Sequence, residues 1–127
     1  MGIKNTITVD RGNNKTISLT IYHADGKTLY NLTDKTVTLY VKRKISDDND
    51  DAIIVLSTTD TSGTITGIGT VEFYLLPKHT DDAAGIAKAN LKDNKQYIYE
   101  VEVATDDVPI KYYTALRSTF IVTAQYR

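Results

Sequence analysis

The stretch that decides the fold is "NLTDKTVTLYVKRK", residues 31–44. Val37, Leu39 and Val41 alternate with Thr36, Thr38, Tyr40 and Lys42, so one side of the segment is apolar and the other polar. Successive side chains of a strand point to opposite faces, and this period of two marks a half-buried β-strand. A polar turn precedes the strand and a basic run follows it.

The same grammar extends in both directions. Toward the N-terminus, Ile7 and Val9 open an alternation that Ile17, Leu19 and Ile21 continue after the turn "DRGNN". "HADGK" is a second turn, where Asp25-Gly26 tolerates positive φ. Tyr30 and Leu32 then lead into the quoted strand. Toward the C-terminus comes the polar loop "SDDNDD", followed by the continuous apolar run "AIIVL" at 52–56, a strand buried on both sides or lying at an edge. "STTDTSGTITGIGT" is turn-rich, with a brief strand expected at 64–66. Val71, Phe73 and Leu75 alternate again until Pro77 ends the strand.

"KHTDDAAGIAKANL" alone has helical character, with Thr80 placed to cap a single turn that Gly85 stops. Tyr97, Tyr99, Val101 and Val103 make the clearest strand of the chain, and "TDDVP" turns it. Ile110, Tyr112, Thr114, Leu116, Phe120 and Val122 share one parity, which predicts a last strand either long and continuous or kinked near Ser118. Seven or eight short strands joined by Gly, Asp and Asn turns predict an all-β protein. The expected architecture is an immunoglobulin-like antiparallel β-sandwich, one domain over residues 1–127, without the Cys-Trp-Cys core of antibody domains.

Composition narrows the function. The chain has no cysteine, which excludes a disulfide framework, thiolate metal sites and a cysteine nucleophile. Fifteen basic and sixteen acidic residues leave a net charge of -1. The basic run Lys42-Arg43-Lys44 is followed at once by Asp47, Asp48, Asp50 and Asp51, so the electrostatic footprint of nucleic-acid binding is missing. No window approaches the roughly 18 apolar residues of a membrane span. The N-terminus lacks a signal-peptide core; "MGIKNT" fits the myristoylation pattern formally, and a strand-like start is the preferred reading.

Motifs for chemistry are nearly absent. The acidic cluster lacks the central Gly and distal Glu of a calcium loop, and its consecutive carboxylates diverge, so no metal site is expected. His23 and His79 are too isolated to suggest a zinc pair. Ser62 in "TSGT" reads as a turn residue, because no G-x-S-x-G elbow surrounds it. Gly63, Gly67 and Gly69 precede a strand rather than a helix, so they form a turn and not a phosphate cradle. No catalytic residue and no cofactor is expected.

Nine tyrosines in a chain without tryptophan are the remaining signal. Tyr40 and Tyr74 have the parity opposite to the apolar set of their strands, and adjacent Tyr112 and Tyr113 must place one ring on each side. These four are the candidate interface residues; a tyrosine pairs a large apolar body with a polar tip, which suits a contact with a partner or a sugar ring. The competing reading is that they cover a second face within the fold.

The order of "ITVDRGNNKTISLTIYHADGKTLYNLTDKTVTLYVKRK", "GTVEFYLLPKHTDDAAG", "YIYEVEV" and "YYTALRSTFIVT" resembles that of a family of tailed-phage virion domains. The family includes the N-terminal domain of upper-baseplate proteins and related immunoglobulin-like tail proteins. The resemblance spans about residues 5–123. The chain departs from the family at Asp34-Lys35, where Gly-Ala is usual, in the longer approach "IAKANLKDNKQ", and in "RSTF" for the common S-G-T-F. The resemblance implies a non-enzymatic structural protein of a phage virion, assembled in the host cytoplasm into a tail or baseplate. It also implies other virion subunits as partners, a homo-oligomer, and edge strands and tyrosine-rich faces as docking surfaces, with no nucleic acid or membrane. The alternatives are a capsid-surface decoration or head-fibre module, or a carbohydrate-binding adhesion domain for a host surface glycan.

Overall fold

The computed structural model describes residues 6–10, 14–23, 25–44, 46–76, 95–105 and 109–123. The expected helical turn at 80–85, with Pro77 and His79 before it, lies outside the described residues. Eight strands follow in chain order: β1 (Ile7–Asp10), β2 (Lys15–Thr20), β3 (Thr36–Lys42), β4 (Ile54–Ser57), β5 (Gly63–Ile65), β6 (Thr70–Leu75), β7 (Lys95–Ala104) and β8 (Tyr112–Thr123). A 3₁₀ turn, Asn49–Asp51, sits between β3 and β4.

The strands form a five-stranded sheet in the order β1-β8-β7-β3-β4 and a three-stranded sheet in the order β2-β6-β5. This is an immunoglobulin-like arrangement, with β2-β6-β5 facing β8-β7-β3, a sheet that β4 extends on one side and β1 on the other. The alternation of β3 explains why. Val37, Leu39 and Val41 are wholly buried while Thr36, Thr38 and Tyr40 turn outward, and the paired β7 matches this with Val101 opposite Leu39 and Val103 opposite Val37. Ile17 and Leu19 of β2 and Val71, Phe73 and Leu75 of β6 supply the facing wall. Tyr99, Phe73 and Phe120 are the bulkiest of the fully buried described residues and fill the centre of the core. Burial of one such side chain stabilises by about 1.5–3 kcal/mol.

The structure corrects one expectation and decides between alternatives in two others. β1 and β2 lie in different sheets, and β1 runs parallel to β8, with Ile7 opposite Phe120. The sandwich is therefore mixed rather than wholly antiparallel. β8 is continuous through Ser118, and its irregularity lies earlier, where Leu116 pairs with Val101 and Thr114 with Glu102. Ala115 is the extra residue of a bulge. The bulge reverses the parity of the strand's start, so Leu116 packs against the core while Tyr112 is 62% exposed. The run at 52–56 resolves as an edge strand, since β4 pairs only with β3 and Val55 is half exposed.

Two turns show how the edges are finished. After β4 the chain folds back over its own edge, with Ser62 Oγ accepting from the Ser57 amide at 2.9 Å and Tyr74 N–H donating to the Ser62 carbonyl. Gly63 follows, and a Cβ there would lie 2.9 Å from the Ser57 carbonyl carbon and 3.0 Å from the Phe73 ring. The two sheets thus meet backbone to backbone at this corner, Gly63 of β5 against Ser57 of β4. Elsewhere, the Asp25 carboxylate closes its turn by accepting from Thr28 Oγ1 (2.6 Å), Thr28 N–H (2.9 Å) and Lys27 N–H (2.8 Å). Gly26 takes φ +71° and donates its N–H to the His23 carbonyl at 2.9 Å. These hydrogen bonds hold the Asp25 carboxyl down at about 2.

Because Gly63 has no room for a side chain, Gly63→Ala should lower stability by about 1–3 kcal/mol through overpacking. Chemical denaturation with the wild-type chain alongside measures this directly. An unchanged midpoint would mean that the corner is loosely packed.

Candidate interaction surfaces

The outer face of the five-stranded sheet carries an ion cluster. Glu100 stands between Lys42 and Arg117: Lys42 Nζ donates to its Oε1 at 2.6 Å, and Arg117 Nε and Nη2 donate to its Oε2 at 2.8 and 2.6 Å. Lys42 is 4% exposed and Glu100 7%, although both belong to the outward parity of their strands. The connection after β3 explains the burial in part. It folds back so that Asp47, Asp48, Asn49 and Asp50 line, with Lys42, an open cleft of about 340 Å³, and Asn49 Nδ2 donates to Glu102 at 3.3 Å. Burial would raise the Glu100 carboxyl, and the hydrogen bonds and charges of Lys42 and Arg117 outweigh it, leaving the group below the usual glutamate range.

Tyr40 borders this cluster, half-buried, with Lys42 Nζ 5.8 Å from its ring centre. Burial first, and then Glu102, push its hydroxyl above the usual tyrosine range; Tyr112 and Asp50 are close enough to add to the effect. Tyr40 and Tyr112 therefore share one face. Tyr74 lies on the other sheet, where its hydroxyl is 3.3 Å from Glu72 Oε1. The backbone of Tyr113 pairs with Val103, and its side chain lies outside what is described. The four candidate tyrosines do not converge on one site.

A second surface forms at one end of the sandwich. The connections between β2 and β3, β5 and β6, and β7 and β8 all leave from this end, as the pairings of Thr20 with Thr70, and of Ala104 with both Thr36 and Tyr112, require. Backbone hydrogen bonds tie two of these loops together, from Ile21 N–H to the Gly69 carbonyl (2.8 Å) and from Leu32 N–H to the Ile68 carbonyl (2.7 Å). Among the described residues seven large hydrophobics are exposed, and five of them are here: Tyr22, Leu29, Ile68, Ile110 and Tyr112; Val55 and Leu76 are elsewhere. The His23 ring packs against that of Tyr30, tilted by 50° with centres 4.9 Å apart, and Lys35 Nζ lies 5.9 Å from the centre of the Tyr30 ring. Of these residues only Tyr112 was legible as a surface candidate, because exposure depends on which loops the fold gathers.

The other candidates are quickly placed. Ser62 donates to Asp60 and accepts from Ser57 N–H, which makes it a turn residue. Among the described residues no group of three or more His, Asp or Glu converges to hold a metal ion. No described helix is long and apolar enough to cross a membrane. The chain matches no protein-family model and no curated protein.

The ion cluster makes stability depend on acid. Over the interval between its lowered folded value and its ordinary unfolded one, Glu100 binds fewer protons folded than unfolded. Its stabilisation should be complete above about pH 4.3 and fade as pH falls through the folded value. Thermal melts of wild type and Glu100→Gln from neutral to acid pH test this, with the difference between them expected to shrink as the pH drops. Lys42→Met should cost about 1–3 kcal/mol at neutral pH, because it removes one charged hydrogen bond and leaves Arg117 in place.

Proposed function

We propose that this chain is a non-enzymatic structural domain of a phage virion, a tail or baseplate component that docks against neighbouring subunits. The observation that carries the reading is the loop end, where Tyr22, Leu29, Ile68, Ile110 and Tyr112 stay exposed on a rigid sandwich. Exposed apolar patches on a folded monomer mark interaction sites, and loops held by a scaffold are where binding residues gather. The motif order, the immunoglobulin-like strand order and the balanced charge all fit a building block. The fold by itself serves many roles, so the reading rests on the surface and the motif order together.

A carbohydrate-binding adhesion domain is the second reading, and the exposure of Tyr112 on the face it shares with Tyr40 favours it, since an open ring suits stacking on a sugar. The two readings part on what surface variants lose. If the end docks a virion subunit, Tyr112→Ala and Ile68→Ser should each cut incorporation into particles by about tenfold or more, as truncation of a central contact does.

Immunogold labelling of particles from the source strain, with antibody against this chain, locates the domain. Label at the tail tip supports the tail or baseplate reading, and label over the head points to a decoration module. Particles without label, together with binding on a glycan array that Tyr112→Ala abolishes, would replace the structural reading by the adhesion one.

A further inference from the structure

β2 is the longest open edge in the described sandwich. It is a six-residue strand, Lys15–Thr20, with β6 on one side and, among the described residues, no strand on the other. Its register with β6, continued by the Ile21 N–H bond to the Gly69 carbonyl, shows which backbone groups face which way. In an antiparallel pair, residues that exchange hydrogen bonds with the partner alternate with residues that do not. Ile17, Leu19 and Ile21 exchange with β6, so Thr16, Ser18 and Thr20 direct their N–H and C=O groups outward.

An edge of this kind is a template for another strand, and proteins usually blunt it with proline, a bulge, central charges or a covering loop. The other edges show such devices. β4 is folded over by its own following turn, and β5 and β1 are only three and four residues long. β2 has no proline and no bulge against β6, and its one charge, Lys15, stands at its start.

We propose that β2 pairs with β2 of a second copy of this chain, antiparallel about a two-fold axis at Ser18, joining the two three-stranded sheets into one. The strand is self-complementary in that register. Ser18 faces its own counterpart, Thr16 faces Thr20, and Lys15 faces Ile21, so no like charges oppose each other. The outer row becomes a ladder of Thr and Ser pairs, which are favourable cross-strand neighbours. The inner row places Ile17 opposite Leu19, continuing the buried side of the sheet. A two-fold contact closes on itself and leaves the loop end of each copy free. The inference rests on the assembly reading above and adds which edge joins like subunits.

Sedimentation velocity of the full chain over a broad concentration series is the test, with three variants. The wild type should double in mass as concentration rises. Ser18→Lys keeps a side chain on the solvent face, where Glu72 is its cross-strand neighbour, yet in the dimer sets two ammonium groups face to face, so it should stay monomeric with an unchanged circular dichroism spectrum. Ser18→Cys should form a disulfide-linked dimer on mild oxidation in this cysteine-free chain. The expected Cα separation of about 5.5 Å for a hydrogen-bonded pair lies within disulfide reach. Thr64→Cys, an exposed position on β5 of the same sheet, should not cross-link.

A wild type that remains monomeric throughout overturns the proposal, as does equal cross-linking of the two cysteine variants. A dimer that survives Ser18→Lys also overturns it, by placing the contact elsewhere. None of these results touches the immunogold outcome, so the edge and the virion reading fail separately.

Discussion

Leu39 stands opposite Val101 at the centre of the larger sheet, and both are wholly out of water. The register that joins them is the constraint on which the rest of the structure depends. A slip of one residue between β3 and β7 would turn Val37, Leu39 and Val41 to solvent and bring Thr38 and Tyr40 inward. Held in place, the same register sets Glu100 between Tyr40 and Arg117 across the sheet, and so assembles the ion cluster from three strands. Core and surface are two sides of one alternation.

That alternation is why so much of the architecture was legible. β2, β3, β6 and β7 each carry an uninterrupted period of two, and each strand lies where the period placed it. What the residues could not announce is which strands become neighbours. Ile7 and Val9 look the same whether they pair with β2 in a hairpin or parallel with β8, and only closure of the sandwich chooses. At Tyr112 the failure is local: one unpaired residue, Ala115, reverses the face of everything before it in the strand. A parity argument fails at any bulge whose position is not marked by glycine or proline.

The surface was less legible for a related reason. Lys42 reads as the start of a basic run, and in the sequence its apparent counter-charges are the aspartates that follow. In the fold the ammonium is buried against Glu100, 58 residues away, and those aspartates border an open cleft instead. Leu29, Ile68 and Ile110 likewise belong to three unrelated turns until the sandwich brings their loops to one end. Chemistry that depends on distant partners appears only when the sheet order is known.

The turn at Asp25-Gly26 bears on how long the chain lasts. Aspartyl-glycine is a dipeptide prone to rearrange, because the glycine nitrogen can attack the aspartyl side chain, expel water to close a succinimide ring and reopen as isoaspartate. That attack needs a free glycine amide and a protonated carboxyl. Here the Gly26 N–H is committed to the His23 carbonyl, and three hydrogen bonds hold the Asp25 carboxyl ionised down to about pH 2. The folded turn therefore guards its own backbone against chemical ageing.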